Sequence, residues 1–424
     1  MEPGDLYEEL VRCNRCGFCQ VACPIFRSTG HEAGVARGRI ALLRALVEGR
    51  TEWSRDLKEP LFACLLCGAC TTNCFPAVPT ADLITLARSQ YLDRVGRNPL
   101  HRLLFRRLLP NPRRLRLAAR AAALGKRTGL SKVAKALGLL RFLGRDFPDA
   151  EAIVERFPRH ALRDRLRPGH TLGKYAPGKG RRIAYFVGCG MDIMCPEAAV
   201  ASIRALTDVG HSVTVLENCC CGLPAETYGD RKAAQGLAEK NLPLLLSDDF
   251  DLVVTDCSSC AAFLKKYPTL FPAADPRRAD AERAASRIRD WVELAADIAP
   301  VRPAPDEPIT VTWHDPCHAS RGQKLVAEPR KLLAAIPGVE FREMAEADWC
   351  CGGAGSYALS HYELSLQVLD RKIDNVEKTG ATHLATSCPA CIIHLAYGVR
   401  RRGLPVRVCH LSELLTPTEA DGDS

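Results

Sequence analysis

Aromatic residues make up only 6% of this 424-residue chain, which has four Trp and four Met. No apolar run reaches the 18 residues that would mark a membrane span. The opening stretch, Met1-Glu2-Pro3-Gly4-Asp5, lacks an apolar core, so no signal peptide is expected. No Walker A run occurs, and no strand-anchored Gly-x-Gly-x-x-Gly. A nucleotide, flavin or nicotinamide site on this chain is therefore not expected. Acidic residues are absent from Arg94 to Arg145. Residues 94–182 carry 24 Lys/Arg against 5 Asp/Glu, a net of +19, which leaves −10 elsewhere because the whole chain carries +9. Basic charge of this kind meets the electrostatic need for nucleic acid, but no recognition motif accompanies it, so no nucleic-acid partner is expected.

What the chain has in abundance is cysteine. Cys13, Cys16, Cys19 and Cys23 form C-x2-C-x2-C-x3-C, with Pro24 following. Cys64, Cys67, Cys70 and Cys74 repeat the run, although Phe75 intervenes before Pro76. This is ferredoxin spacing for 4Fe–4S cubanes, in which the fourth cysteine reaches the other cluster. One cluster is assigned to Cys13, Cys16, Cys19 and Cys74, the other to Cys64, Cys67, Cys70 and Cys23. Zinc is the competing metal, but its four-cysteine sites use two C-x2-C pairs and not two runs of four.

Two longer motifs follow. Cys189, Cys220-Cys221-Gly222 and Cys257-x2-Cys260 are answered by Cys317, Cys350-Cys351-Gly352 and Cys388-x2-Cys391. Eighteen of the 21 cysteines fall in these four patterns, and no export signal accompanies them, which points to a reducing cytoplasm and not to disulfides. The offset between the long motifs drifts only from 128 to 131 residues, as loop insertions in an internal repeat would produce. Strands are expected at 182–187, 213–216 and 252–255, and at 309–313, 339–342 and 383–386, alternating with helices. Such α/β units place ligands where strands end, which is where the cysteines fall. Five cysteines per repeat exceed a cubane's four, so at least one of these clusters is expected to be non-cubane. Adjacent cysteines need a sharp turn, which Gly222 and Gly352 permit. Cys195, Cys219 and Cys409 lie outside the pattern. His314, His318 and His394, near the second motif, are read as satisfied structural groups.

The fold expected is therefore α+β and multidomain. A helical ferredoxin domain with two 4Fe–4S sites spans 1–90, with helices at 37–47 and at 80–92, the latter capped by Thr80. A basic helical linker spans 91–180, broken by Pro110, Pro112, Pro148 and Pro158. Two repeated α/β CCG domains span 181–300 and 301–424. The linker has three readings: a solvated helical segment, a docking face for an acidic partner, or a membrane-surface amphipathic segment, the last suggested by Leu103, Leu104, Leu108 and Leu109 alternating with Arg102, Arg106 and Arg107.

Two ferredoxin runs followed by two CCG motifs resemble the glycolate oxidase iron–sulfur subunit family. The same arrangement is similar to iron–sulfur subunits of anaerobic glycerol-3-phosphate dehydrogenase and lactate-utilisation systems, and to the D subunit of heterodisulfide reductase. The resemblance implies an electron-transfer subunit, with a partner FAD-containing dehydrogenase oxidising a 2-hydroxy acid and electrons leaving to a quinone or other acceptor. It implies a cytoplasmic protein, peripheral to the inner face of the membrane, with a membrane-surface or quinone-reductase partner. It also implies that each complete CCG motif, Cys189, Cys220, Cys221, Cys257 and Cys260 or Cys317, Cys350, Cys351, Cys388 and Cys391, can hold a non-cubane 4Fe–4S cluster. Both final C-x2-C pairs are complete here, which is closer to heterodisulfide reductase and keeps disulfide reduction at the CCG clusters as an alternative. A non-catalytic metal-stabilised scaffold is the third reading.

Overall fold

The computed structural model describes residues 3–297 and 308–416. Among these residues, everything before Thr171 is helix, turn or loop. The N-terminal unit packs the helices Pro3–Val11, Ala36–Val47, Lys58–Phe62 and Thr80–Arg94 around Leu10, Ile40, Leu43, Leu61, Leu83 and Ile84. Thr80 is the first residue of its helix and not the cap. Pro79 precedes it, and the Thr80 hydroxyl donates to the Val78 carbonyl instead of accepting from the first turn.

Two parallel sheets follow. The strands are β1 (Thr171–Leu172), β2 (Arg182–Tyr185), β3 (Ser212–Val215), β4 (Leu252–Thr255), β5 (Ile288–Asp290), β6 (Ile309–Trp313), β7 (Val339–Phe341), β8 (His383–Thr386) and β9 (Arg407–His410). The first sheet runs β1-β3-β2-β4-β5, parallel except for β1, and the second runs β7-β6-β8-β9, all parallel. Ile183 registers with Val213 on one side and Leu252 on the other; Val311 registers with Phe341 and His383. The strand cores are apolar and buried, as expected where helices cover both faces. Apart from the edge strand β1, the chain in each sheet starts in the middle, moves one way, then returns to the other side. The crossover point lies between β2 and β4, and between β6 and β8. Open α/β sheets bind ligands in that crevice.

The two sheets share one core. Val311, Trp313, Leu332, Leu411 and Leu414 join the cluster built on Ile183, Val253 and Trp291. The helix Leu411–Leu415 lies on the helix Pro196–Asp208 of the first repeat, where Ser412 Oγ donates to the Ala198 carbonyl at 2.9 Å. At the centre, Ser258 N donates to the Ser387 carbonyl at 3.0 Å and the two hydroxyls meet at 2.8 Å.

The basic middle is not a solvated linker along its whole length. Phe105 and Leu109 are buried in the core of the first repeat. Arg97 and Arg106 pair with the buried carboxylate of Asp230, and Arg163 is itself buried against Asp192. The Leu/Arg alternation at 102–109 thus serves docking onto this repeat. Further along, β1 adds an antiparallel edge to the first sheet, and Ala150 and Ile153 pack in the core of the second. Sequence alone could not show this, because Asp230 lies 124 residues from Arg106 and farther still from Arg97.

Candidate iron–sulfur centres

The two ferredoxin runs take the same backbone turn. Arg15 and Leu66, each two residues after the first cysteine, have φ of 54° and 53°. Gly17 and Gly68, each following the second cysteine, have φ of 89° and 75°. Successive turns of this kind aim amide N–H groups inward and form an anion-binding nest. Leu66 N donates to Cys64 Sγ at 3.4 Å. The short helices Phe18–Ala22 and Ala69–Thr72, which carry Cys19 and Cys70, pack against each other. Cys23, Cys64, Cys67 and Cys70 line one small cavity. Burial pushes the thiol of Cys23 up to about 11 and that of Cys70 up to about 12, with Cys64 and Cys67 adding to both. Such thiols ionise readily only when a cation takes the charge. In the other set, the guanidinium of Arg12, next to Cys13, donates to the carbonyl of Pro76, two residues after Cys74, at 2.5 Å. Cys16 is exposed there, and Phe75 stands 91% exposed beside it in sequence from Cys74.

The CCG cysteines gather at the crossover crevices. Cys189 opens a helix after β2, and Cys257 caps the helix Ser258–Lys265 after β4, accepting from Cys260 N at 3.4 Å. Cys317 and Cys388 hold the corresponding places after β6 and β8. The helix Pro389–Arg402 and the helix Ser258–Lys265 both point their N-termini at the sulfurs, where the helix dipole favours negative charge. Gly352 has φ of 86°, and a Cβ there would lie 2.7 Å from the Ser365 carbonyl, so the turn after Cys350-Cys351 needs glycine.

Within each motif the sulfurs touch in sequence. Cys220 Sγ lies 3.9 Å from Cys189 Sγ, and Cys351 Sγ lies 3.6 Å from Cys391 Sγ. Contacts with Cys220 and Cys260 hold the Cys221 thiol down to about 5. Cys351 sits well below the usual thiol range through Cys350 and Cys391, and Cys388 does so through Cys257 and Cys391. Within each motif the sulfurs thus lie close enough to act on one another's charge, as ligands of one metal cluster would. Cys257 touches Cys388 across the repeat boundary, and Cys350 touches Cys67 of the N-terminal unit. All ten CCG cysteines and Cys67 form one unbroken line of sulfur contacts. A soft, thiolate-rich, buried donor set of this kind fits iron–sulfur clusters.

The remaining cysteines stand apart. Cys219 turns its S–H to Asn241 Oδ1 at 3.3 Å, and burial pushes it up to about 11. Cys195 and Cys409 are also pushed up by burial, without a thiol bonded to either. His318 Nδ1 meets Ser259 Oγ at 2.9 Å, and His394 Nε2 meets Ser365 Oγ at 3.0 Å while its Nδ1 is buried without a partner. His314 departs furthest from the expectation of satisfied groups, since both its ring nitrogens lack a partner.

Several supporting residues gave no signal in the sequence. Asn218 braces the first motif, accepting from Val187 N at 3.0 Å and from Arg163 at 2.9 Å. Asn241 and Tyr267 donate to the carbonyls of Cys220 and Cys221 at 3.1 and 2.7 Å. Arg88 binds the carbonyls of Cys64 and Thr227, tying the N-terminal unit to the first repeat. Lys372 is buried with its ammonium on the Glu346 and Ala347 carbonyls, and burial pushes it down to about 8. A cavity of about 360 Å³ lies between the three units, walled by cysteines of both CCG motifs, Cys64, Phe62, Leu66, Tyr228 and Tyr357.

Comparison with known proteins agrees with this arrangement. Models of a 4Fe–4S dicluster domain (residues 9–77), of the linker region of the glycolate oxidase iron–sulfur subunit (96–154) and of a cysteine-rich CCG domain (183–265 and 311–396) all match. The chain is 33% identical over 420 residues to the probable glycolate oxidase iron–sulfur subunit of Bacillus subtilis, covering 96% of this chain and 93% of that one. It is 28% identical over 401 residues to the glycolate oxidase iron–sulfur subunit of Escherichia coli, covering 91% and 90%. It is 28% identical over 235 residues to lactate utilization protein A of Exiguobacterium sp., covering 55% of this chain and 96% of the relative. The chain thus carries several iron–sulfur clusters, in a ferredoxin-type unit and in repeated CCG units.

Proposed function

The chain belongs to the glycolate oxidase iron–sulfur subunit family, and from that membership we propose that it conducts electrons for a flavin-linked dehydrogenase of 2-hydroxy acids. The observation that carries the reading is the continuous line of sulfurs from Cys67 through Cys350 to Cys189. When bound, the clusters supply one-electron carriers. Cys13, Cys16, Cys19 and Cys74 hold one cubane, and Cys23, Cys64, Cys67 and Cys70 the other. Cys189, Cys220, Cys221, Cys257 and Cys260 hold a third cluster, and Cys317, Cys350, Cys351, Cys388 and Cys391 a fourth. The protein around them excludes water and fixes their spacing. Oxidation of the hydroxy acid takes place on an FAD-containing partner, because this chain has no dinucleotide motif of its own.

The acceptor is a quinone or a quinone-reducing partner at the cytoplasmic face of the membrane. No helix among the described residues is long and apolar enough to cross a membrane. Contact with the bilayer is made instead by the helices Pro112–Arg127 and Leu130–Ala136 and the turn Leu139–Phe142. Leu117, Leu124, Leu130, Val133 and Leu137 are exposed there, and Phe142 is 87% exposed. Exposed Arg113, Arg114, Lys132 and Arg141 surround them in a stretch without acidic residues. Exposed apolar side chains set among basic ones suit an anionic lipid surface.

The test is reconstitution. Anaerobically purified chain should show its visible cluster absorption bleach when glycolate or lactate is added in the presence of the co-purifying flavoprotein, and not without it. Bleaching that needs no flavoprotein would overturn the proposal. A second reading, reduction of a disulfide in the central cavity, is favoured by the cysteines of both motifs in its wall. Turnover of a thiol–disulfide pair with a reduced viologen dye would establish it.

A further inference from the structure

The side chain of His314 is 1% exposed, and neither ring nitrogen makes a hydrogen bond of normal geometry, although the Ala347 backbone acts weakly on the ring. A buried imidazole in that state has given up its hydration and recovered little of it. Its surroundings show where the missing partner belongs. A ring nitrogen of His314 and the sulfurs of Cys351 and Cys391 lie within 4.8 Å of one another, and all three residues are buried. No hydrogen bond joins the ring to either sulfur. The two sulfurs are 3.6 Å apart and the ring nitrogen stands near both without bonding either, as donors around a shared metal ion do, given bonds of about 2.0–2.3 Å from each.

We propose that His314 is a nitrogen ligand to iron in the cluster of the second CCG motif, beside Cys351 and Cys391. The inference rests on the reading that this motif holds an iron–sulfur cluster. The backbone supports it. His314 follows β6 directly, its N–H donates to the Ala385 carbonyl at 3.0 Å, and its carbonyl accepts from Thr386 Oγ1 at 3.1 Å. These bonds seat the residue in the crevice between β6 and β8, three positions before Cys317. His318 and His394 each spend a nitrogen on a serine hydroxyl, and although His394 Nδ1 has no partner, His314 is the histidine that groups with Cys351 and Cys391 among the described residues.

The first motif lacks this ligand. The residue three positions before Cys189 is Phe186, whose N–H makes the matching bond to the Val254 carbonyl at 2.8 Å and whose ring is buried in the apolar core. Two repeats with one backbone frame thus differ by an imidazole in one and a benzyl group in the other. The second motif then has one donor more than the first. At that position a neutral imidazole places no negative charge on iron, whereas a thiolate in the same place would, so the imidazole favours the reduced state relative to a cysteine there.

Pulsed EPR on the anaerobically purified full chain tests this. The cluster signal should carry the hyperfine coupling of a directly bonded nitrogen, which changes isotope when the protein is made with 15N-histidine. That coupling should vanish in His314→Gln and survive in His318→Gln. A cluster signal without histidine coupling in the labelled wild type overturns the ligand, whatever the variants do. Persistence of the coupling in His314→Gln overturns it too. His314→Cys covers the case in which the glutamine variant fails to fold. It should keep the iron content of the wild type while the midpoint potential of one cluster falls, and an unchanged potential counts against the proposal. Absence of iron from the second motif, read as no loss of iron in Cys351→Ala, would overturn both this ligand and the cluster reading beneath it.

Discussion

The thiol of Cys67, in the second ferredoxin run, makes side-chain contact with the thiol of Cys350, in the second CCG motif, although 282 residues separate them in the chain. Tyr357 OH donates to the Ala63 carbonyl at 3.1 Å, and Arg321 reaches the Cys67 carbonyl at 3.5 Å, so the contact is braced on both sides. The N-terminal unit touches both repeats, but its thiol contact is with the second, through this pair of residues.

A comparison of two serine variants follows from that contact. Cys16 is exposed and Cys67 lies at the junction. Cys16→Ser should remove about four irons and leave the spectra of the CCG clusters unchanged. Cys67→Ser should remove a similar amount of iron and also disturb the second CCG cluster, because Cys350 loses its neighbour. Iron analysis and EPR of both variants check this. Equal and purely local effects would mean that the junction carries no coupling.

The membrane surface is tested by charge. Leu117→Asp, Leu124→Asp and Phe142→Asp together replace exposed apolar side chains, so folding should be unaffected. Co-sedimentation with vesicles rich in anionic lipid should fall by roughly tenfold or more, and wild-type binding should weaken with added salt. Unchanged sedimentation of the triple variant would leave the basic helices as a solvated or partner-docking surface.

Much of this architecture was legible in the order of residues. The six strands that lead to cysteines fall within a residue or two of their expected places, because apolar runs bounded by turns are a local signal. The cysteines that spacing and the family resemblance singled out are ones the structure places at strand ends and helix starts. What escaped was non-local. Arg163 looked like one more basic residue of a linker, yet it is buried against Asn218, 55 positions on. Leu109 looked like one leucine of an amphipathic face, yet its carbonyl accepts from Cys220 N at 3.3 Å. In sequence His314 reads as a satisfied group, because satisfaction is the rule for buried histidine, and only the three-dimensional surroundings reveal its two idle nitrogens. The fusion of the repeats escaped for the same reason, since residues 411–415 pack on residues 196–208.

That fusion predicts how the repeats unfold. Trp291 is fully buried in the first repeat, its Nε1 donates to the Ser202 carbonyl at 3.0 Å, and its ring meets His410 of the second repeat edge-on at 5.7 Å. Trp291→Ala should cost about 3–5 kcal/mol. Both repeats should lose stability together, seen as one cooperative denaturation step at lower denaturant. Two separated steps, with only the first repeat weakened, would show that the shared core does not couple them.

The last expectation separates the cysteines that hold clusters from those that only fill space. Cys351 sits between Cys350 and Cys391 with its thiol well below the usual range, and the turn that presents it depends on Gly352. No other cysteine of the repeat can reach its place, because Cys317 is engaged with Cys350, and Cys388 is held by Cys257 and Cys391. Cys351→Ala should therefore abolish electron transfer and lower the iron content from about sixteen per chain, the value for four filled four-iron sites, by about four. Cys409 lies buried in β9 with no thiol bonded to it. Cys409→Ala should cost about 1 kcal/mol of stability through lost burial and leave iron content and activity as in the wild type. Cys219→Ala should behave likewise, since its S–H is spent on Asn241. Iron loss in Cys219→Ala would mean that the adjacent cysteine is a ligand and that the register of the first motif is Cys219-Cys220 instead of Cys220-Cys221.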